Sequence, residues 1–195
     1  MKKKRIILLV FLMIILAACK IQSQNPGELE LVREDFELDL KSRFDNDDVV
    51  DFGDNVYSFK GTYDNKLRLK LSCFDKGGED EIFDISLPKI DEGAKLGIAM
   101  TSNKISLYEI SDKKISLILG ADFGDRIFTE KKTNVYTWTD GGLVKKGEPL
   151  SIFESYSTYS KDLIVSSQWK EDIKSGLKKD LSALALELSI SDDEK

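Results

Sequence analysis

The chain has 195 residues, of which 29 are basic and 35 are acidic, and it contains no histidine. The formal net charge of −6 argues against a nucleic-acid partner, because such binding depends on a basic surface that displaces counterions. The absence of histidine excludes Ser-His-Asp and Cys-His catalysis, and it excludes histidine as a metal ligand.

Residues 1–18 have the pattern of a secretory signal peptide. A basic head, Lys2 to Arg5, precedes an apolar run of thirteen residues from Ile6 to Ala18. This order predicts a segment that is removed from the mature protein. The alternative is an uncleaved membrane helix, but thirteen helical residues span only about 20 Å. The hydrocarbon core of a bilayer is about 30 Å thick, so we expect cleavage.

The end of this segment, Leu16-Ala17-Ala18-Cys19, resembles the lipobox of bacterial lipoproteins. In that family signal peptidase II cuts before the cysteine, and the cysteine thiol carries diacylglycerol. The resemblance implies lipidation of Cys19 and durable anchoring to a bacterial membrane. Residues 19–27 then comprise the lipidated cysteine and a flexible tether, since they are polar and contain Asn25-Pro26-Gly27. Removal of 1–18 leaves 25 basic and 35 acidic residues, a net charge of −10 that favours basic partners.

Residues 28–190 are expected to form a single β-rich domain, because about 170 residues can bury a sizeable core. Short segments with period-two alternation predict half-buried strands. Hairpins are expected at Asp64-Asn65 and Ser102-Asn103. The tetrapeptide Lys-Ile-Ser-Leu, present at 104–107 and 114–117, predicts a further pair of strands. The predicted strands are 28–32, 36–40, 56–63, 66–74, 82–87, 96–101, 104–110, 114–119, 134–139 and 150–153.

One face of the strand at 66–74 carries Leu67, Leu69, Leu71 and Cys73. We therefore expect Cys73 to be a buried, small apolar residue. The alternative, a reactive thiol, needs an electropositive and partly open site, which the surrounding sequence does not indicate. With Cys19 acylated, we expect neither an intramolecular disulfide nor a cysteine metal site.

The spacing of apolar residues changes near the C-terminus, where they recur every three or four positions. This spacing predicts an amphipathic helix at about 168–189, continuing through Gly176 at a cost of about 1 kcal/mol relative to alanine. The helix is expected to cover one sheet, or alternatively to bind a partner, and 191–195 is expected to be an acidic tail. The predicted fold is α+β and mainly β, an antiparallel meander sandwich or open barrel with this C-terminal helix. The apolar stripe comprises Trp169, Ile173, Leu177, Leu181, Leu184 and Leu188.

The loop 45–54 is rich in aspartate, and its first residues resemble a calcium-binding EF-hand loop. Val50 stands where that loop needs glycine, however, and Val56 stands where it needs glutamate. We therefore expect a solvated acidic loop, with a weak cation site as the alternative. No phosphate-binding motif is present, and no pair of carboxylates is singled out for hydrolysis, so no catalytic, cofactor-binding or metal-binding residue is predicted. The acidic residues are Asp45, Asp47, Asp48, Asp51 and Asp54.

The lipobox, the tether and a composition rich in Lys, Ile, Asp and Ser resemble the surface lipoproteins of Borrelia-type spirochaetes. The motif-level similarity covers residues 1–27, and the remainder rests on composition. The β-rich body differs from the all-helical, complement-binding members of that group. The resemblance implies attachment to the outer membrane, exposure at the cell surface and contact with host proteins.

These observations predict a membrane-anchored, non-enzymatic protein that binds a host or envelope protein. The first alternative is a lipocalin-like carrier of a small apolar ligand, although the Gly-x-Trp signature is missing. The second alternative is a carboxylate-based hydrolase. A large apolar cavity would favour the carrier. An exposed aromatic patch would favour the binding protein, and two facing carboxylates in a cleft would favour the hydrolase.

Overall fold

The computed structural model describes residues 29–35, 51–61, 67–88, 93–111, 114–124, 133–161 and 163–191. The predicted signal peptide, Cys19, the tether, the strand at 36–40 and the last four residues of the chain lie outside these ranges. Asp45, Asp47 and Asp48 also lie outside them. Within the described residues, no helix has the length and apolar character needed to cross a membrane.

The described residues form eleven strands and one short helix. In chain order these are β1 (Leu29–Glu34), β2 (Asp51–Lys60), β3 (Leu67–Asp75), β4 (Gly78–Ser86), β5 (Lys95–Thr101), β6 (Lys104–Ser111), β7 (Lys114–Asp122), β8 (Thr133–Trp138), β9 (Gly141–Val144), β10 (Leu150–Thr158), α1 (Trp169–Lys174) and β11 (Leu181–Ile190).

The strands form two antiparallel sheets. Sheet A has the order β7-β6-β5-β2-β1-β9, and sheet B has the order β4-β3-β11-β10-β8. In the described part of the chain neither sheet closes into a barrel. The prediction of a mainly β, α+β fold built from antiparallel strands is confirmed.

The main hydrophobic cluster takes side chains from both sheets. Because successive side chains of a strand point to opposite faces, alternate residues of β3, β5 and β11 enter this cluster. The predicted face of β3 is confirmed, since Leu67, Leu69, Leu71 and Cys73 are all buried within it. Contributions from the other strands include Leu31, Tyr57, Ile98, Leu107, Phe153 and Leu186.

Local turn chemistry predicted one hairpin correctly. Ser102 and Asn103 connect β5 to β6, with Met100 opposite Ile105. The hydroxyl of Thr101 accepts the backbone N–H of Lys104 at 3.1 Å and closes the turn. The two Lys-Ile-Ser-Leu copies also begin paired strands, β6 and β7.

The hairpin predicted at Asp64-Asn65 is wrong. β2 lies in sheet A and β3 lies in sheet B, so the chain passes from one sheet to the other between them. β3 instead forms a hairpin with β4. In its turn the N–H of Gly77 donates to the carboxylate of Asp75 at 2.7 Å, and Gly78 has a φ of 115°, which favours glycine.

The predicted helix at 168–189 is wrong beyond Lys174. Gly176 has a φ of 75°, and a left-handed glycine at this place ends a helix. Residues 181–190 form β11, a central strand between β3 and β10. Leu186 on one face and Ala185 on the other are both fully buried. From Ala183 to Leu186 β11 is apolar on both faces, and the periodicity of such a run does not distinguish a buried strand from a buried helix.

The prediction of an acidic loop at 45–54 is also wrong for its last residues, because Asp51 and Asp54 belong to β2. The register of β2 against β5 shifts between these two residues. Gly53 has a φ of 82° there, and Phe52 is buried in the main hydrophobic cluster. Burial of Phe52 thus extends the strand into a segment whose charges indicated a loop.

Candidate functional site

The helix α1 packs on sheet B through two aromatic contacts. The Trp169 ring meets the rings of Phe74 and Tyr156 nearly edge-on, with centroid distances of 5.0 and 5.4 Å. Ile173, one turn later, is buried in the same cluster. The expectation that Trp169 and Ile173 cover a sheet is therefore confirmed for the six residues of α1.

Side-chain hydrogen bonds fix the segment that leads into α1. The Ser166 hydroxyl accepts the N–H of Gln168 at 3.2 Å and donates to the carboxylate of Asp172 at 2.6 Å. After the helix, the ammonium group of Lys178 lies 3.5 Å from the carbonyl oxygen of Ile164. The segment before α1 and the turn after it are thereby held side by side.

An open cleft of about 200 Å³ lies where these two segments meet the ends of β10 and β11. We call it the tip cleft. Leu177 is 78% exposed and Ile164 is 73% exposed. Tyr159, which lies in the chain between the lining residues Thr158 and Ser160, is 63% exposed. Contiguous exposed apolar side chains mark interaction sites on proteins. The cleft is lined by Thr158, Ser160, Leu163, Ile164, Leu177, Lys178, Lys179, Asp180 and Leu181.

The tip cleft is at the opposite end of β11 from the N-terminal end of β1. Leu29, the first described residue, is paired with Val144 at the end of β9. Two residues later, Lys146 forms a bridge to Ile190, the last residue of β11. Leu181, which lines the cleft, is the first residue of β11. A ten-residue strand is about 30 Å long, so Leu29 and the cleft are separated by roughly the length of β11.

The charge around the tip cleft differs in sign from the charge of the whole chain. Lys178 and Lys179 line the cleft together with a single acidic residue, Asp180, so the lining has one excess positive charge. The local surface is therefore basic on a chain with a net charge of −6. This surface complements a partner that presents an apolar side chain and acidic groups.

On another side of α1, a cluster of ion pairs at the surface surrounds Glu79 of β4. Its carboxylate accepts hydrogen bonds from Lys174 at 2.8 Å, from Lys70 at 2.6 Å and from the Ser72 hydroxyl at 3.0 Å. The bonds from Lys174 and Lys70 lower the pKa of Glu79 to about 2. A carboxylate held ionised in this way is a poor general acid near neutral pH. This cluster is therefore better suited to stabilising the fold than to catalysing hydrolysis.

A second open cleft, of about 240 Å³, lies beside β8 and β10. Its one carboxylate, Glu154, accepts a hydrogen bond from the hydroxyl of Tyr156. Burial, followed by this bond, raises the pKa of Tyr156 above its usual value. Each of the two clefts thus has a single carboxylate in its lining, whereas glycoside hydrolysis requires a pair. The lining comprises Thr137, Thr139, Ser151, Ile152, Phe153 and Glu154.

The sequence did not indicate the tip cleft as a site. Leu177 was assigned to a buried helical stripe, yet it is the most exposed large apolar residue among those described. The available signal was Gly176, whose left-handed conformation turns Leu177 out of the stripe. Cys19, the predicted lipidation site, lies outside the described residues. Within those residues no group of three or more Cys, Asp or Glu side chains could hold a metal ion.

No protein-family model, no curated protein and no solved structure matches this chain.

Proposed function

We propose that this protein is a membrane-anchored surface lipoprotein that binds a host or envelope protein through the tip cleft. The observation that carries this proposal is the exposure of two apolar residues in the lining of one cleft, Ile164 and Leu177. Burying these side chains against a partner would remove apolar surface from water, at about 25 cal/mol per Å². Apolar anchors in a cleft are typical of the residues that dominate binding energy.

The architecture we infer for this role is a sandwich of sheets A and B around a filled interior. The Tyr57 hydroxyl, from sheet A, donates to the carbonyl oxygen of Thr139 next to β8 at 3.0 Å. The indole N–H of Trp138, from sheet B, donates to the carbonyl oxygen of Phe52 at 2.9 Å. Side chains of both sheets fill the main hydrophobic cluster. A filled interior favours the binding protein, whose site lies on the outer surface, and disfavours the lipocalin-like carrier, which needs an internal cavity.

The proposed anchor gives the tip cleft a direction. Lipid on Cys19 would hold the chain ten residues before Leu29, which an extended tether spans with about 35 Å. Since Leu29 lies near the end of β11 that is remote from the cleft, such a flexible tether would leave the cleft free to face away from the membrane. The opposite arrangement would bring the exposed apolar residues against the lipid headgroups instead.

Binding is tested by substitution of a residue whose exposure makes a folding defect unexpected. Leu177→Asp in the full-length chain should weaken capture of serum or matrix proteins by about tenfold, because a cleft anchor contributes more than about 1 kcal/mol. The matched control is Leu117→Asp, which changes an exposed leucine of β7 outside the cleft. Unchanged binding by Leu177→Asp would contradict the role of the tip cleft. Loss of binding in both would show that added negative charge, and not the cleft, controls association.

Anchoring is tested separately at the lipobox. Cys19→Ala should abolish incorporation of labelled palmitate and leave the protein unanchored or unprocessed. Undiminished labelling in this variant would contradict the lipoprotein proposal and leave the binding proposal standing. Purification of the intact protein with a small apolar molecule bound between the sheets would favour the carrier instead.

A further inference from the structure

The strand β8 forms one edge of sheet B. In the described part of the chain it pairs only with β10. Its central residues are open to solvent, with Val135 48% exposed and Tyr136 46% exposed. An exposed edge strand presents a row of backbone N–H and C=O groups that can pair with another chain.

β8 lacks the features that protect the other outer strands of the described sheets. Its six residues, Thr-Asn-Val-Tyr-Thr-Trp, include no charge, no proline and no glycine. They pair with β10 without any shift of register. Natural proteins use charges, bulges and short edge strands to prevent edge-to-edge pairing, and β8 has none of these.

The remaining outer strands each carry at least one of those protective features. β4 has four acidic residues within nine and a register shift against β3. β7 has a register shift against β6 and charged residues at both ends. β9 is only four residues long and contains two glycines. The difference singles out β8 as the pairing edge.

We propose that β8 pairs with β8 of a second copy of this chain. Antiparallel pairing about a twofold axis would join two five-stranded sheets into one sheet of ten strands. The uncharged strand places no like charges opposite each other, which matters for two acidic molecules that otherwise repel.

The sequence of β8 is also complementary to itself. Pairing centred on Val135 sets Thr133 opposite Thr137 and Asn134 opposite Tyr136. Pairing centred on Tyr136 sets Val135 opposite Thr137. Threonine pairs and pairs of β-branched or aromatic residues are among the favourable cross-strand pairs. Either register pairs five residues of each strand, an interface below the standard size, so the dimer is weak and concentration-dependent.

Cysteine cross-linking in intact cells tests this pairing with the full-length chain. Val135→Cys and Tyr136→Cys each place a thiol at a possible centre of the pair, where facing Cβ atoms are about 4.5–5.5 Å apart. Mild oxidation should then give a disulfide-linked dimer on a non-reducing gel, several-fold more abundant than from two control variants. The controls are Leu117→Cys on β7 and Leu143→Cys on β9, both at exposed positions.

A second substitution separates strand pairing from chance collision. Val135→Lys, added to Tyr136→Cys, should reduce the dimer several-fold, because a lysine at an edge opposes strand pairing. Equal cross-linking at all four positions, or no dimer from either β8 variant, overturns the proposal. Cross-linking of the β8 variants to a different protein overturns the second copy as the occupant of this edge. None of these outcomes depends on the tip cleft.

Discussion

Lys174 in α1 donates a hydrogen bond to Glu79 in β4, with 2.8 Å between Nζ and Oε2. Lys70 in β3 donates to the other oxygen of the same carboxylate at 2.6 Å. The ammonium group of Lys174 also lies 5.5 Å from the centre of the Phe74 ring, within reach of a cation–π interaction. One carboxylate thus ties α1, and the turn that carries Leu177, to the edge of sheet B.

Glu79 should make stability depend on pH in the acid range. Its pKa is about 2 in the folded state against an ordinary value of 4.5. A lowered pKa contributes stability that is fully present above about pH 4.5 and is lost as the pH falls towards 2. Glu79→Gln should cost about 1–2 kcal/mol at neutral pH and flatten the profile below pH 4.5. Denaturant unfolding across this range measures both effects.

The matched control for that experiment is Glu81→Gln. Glu81 is mostly exposed, and its carboxylate lies 3.7 Å from the ammonium group of Lys70. Exposed ion pairs contribute little, so this variant should follow the wild-type profile. If the stability of Glu79→Gln also followed the wild-type pH profile, the hydrogen bonds of Glu79 would not stabilise the fold.

The assignment of 181–190 as a strand can be tested with two leucines for which helix and strand predict opposite results. Leu186→Ala should cost about 2–5 kcal/mol, because Leu186 is fully buried in the main hydrophobic cluster. Leu177→Ala should cost less than about 0.5 kcal/mol, because Leu177 is exposed. A continuous helix at 168–189 would reverse this order, since Leu177 belongs to its apolar stripe and Leu186 does not. Thermal unfolding of the two variants decides between the assignments.

The sequence predicted features that depend on neighbouring residues and failed where distant strands decide. The turn at Ser102-Asn103 and the buried face of Leu67 to Cys73 follow from local chemistry and from period two. The passage of the chain from sheet A to sheet B after β2 has no local signal, because Asp64-Asn65 is suitable for a hairpin. β11 became a strand because β3 and β10 pair with it on both sides, and these partners are distant in sequence. The tip cleft was missed for the same reason, since its lining depends on where the helix ends.

The burial of Cys73 predicts slow reaction with thiol reagents. Cys73 is 5% exposed within the main hydrophobic cluster, and a thiol reacts only as an accessible thiolate. In the Cys19→Ala variant, a maleimide reagent should modify Cys73 only after denaturation. Rapid modification of the native protein would show that β3 is not buried on this face. The same variant with Cys73→Ala provides the unlabelled background.

Two serines of β10 should respond in opposite directions to the same substitution. Ser155 and Ser157 are fully buried, and both pair with residues of β8 and β11. The Ser157 hydroxyl donates to the side-chain oxygen of Asn134 at 2.6 Å, whereas Oγ of Ser155 has no hydrogen-bond partner within the described residues. Burial of an unsatisfied hydroxyl costs free energy, and loss of one partner of a buried hydrogen bond costs about 1 kcal/mol or more.

Ser157→Ala should therefore lower the free energy of unfolding by about 1 kcal/mol, while Ser155→Ala should leave it unchanged or raise it. Denaturant unfolding of both variants measures the difference, and a larger loss from Ser155→Ala than from Ser157→Ala would show that Ser155 has a partner in the native protein.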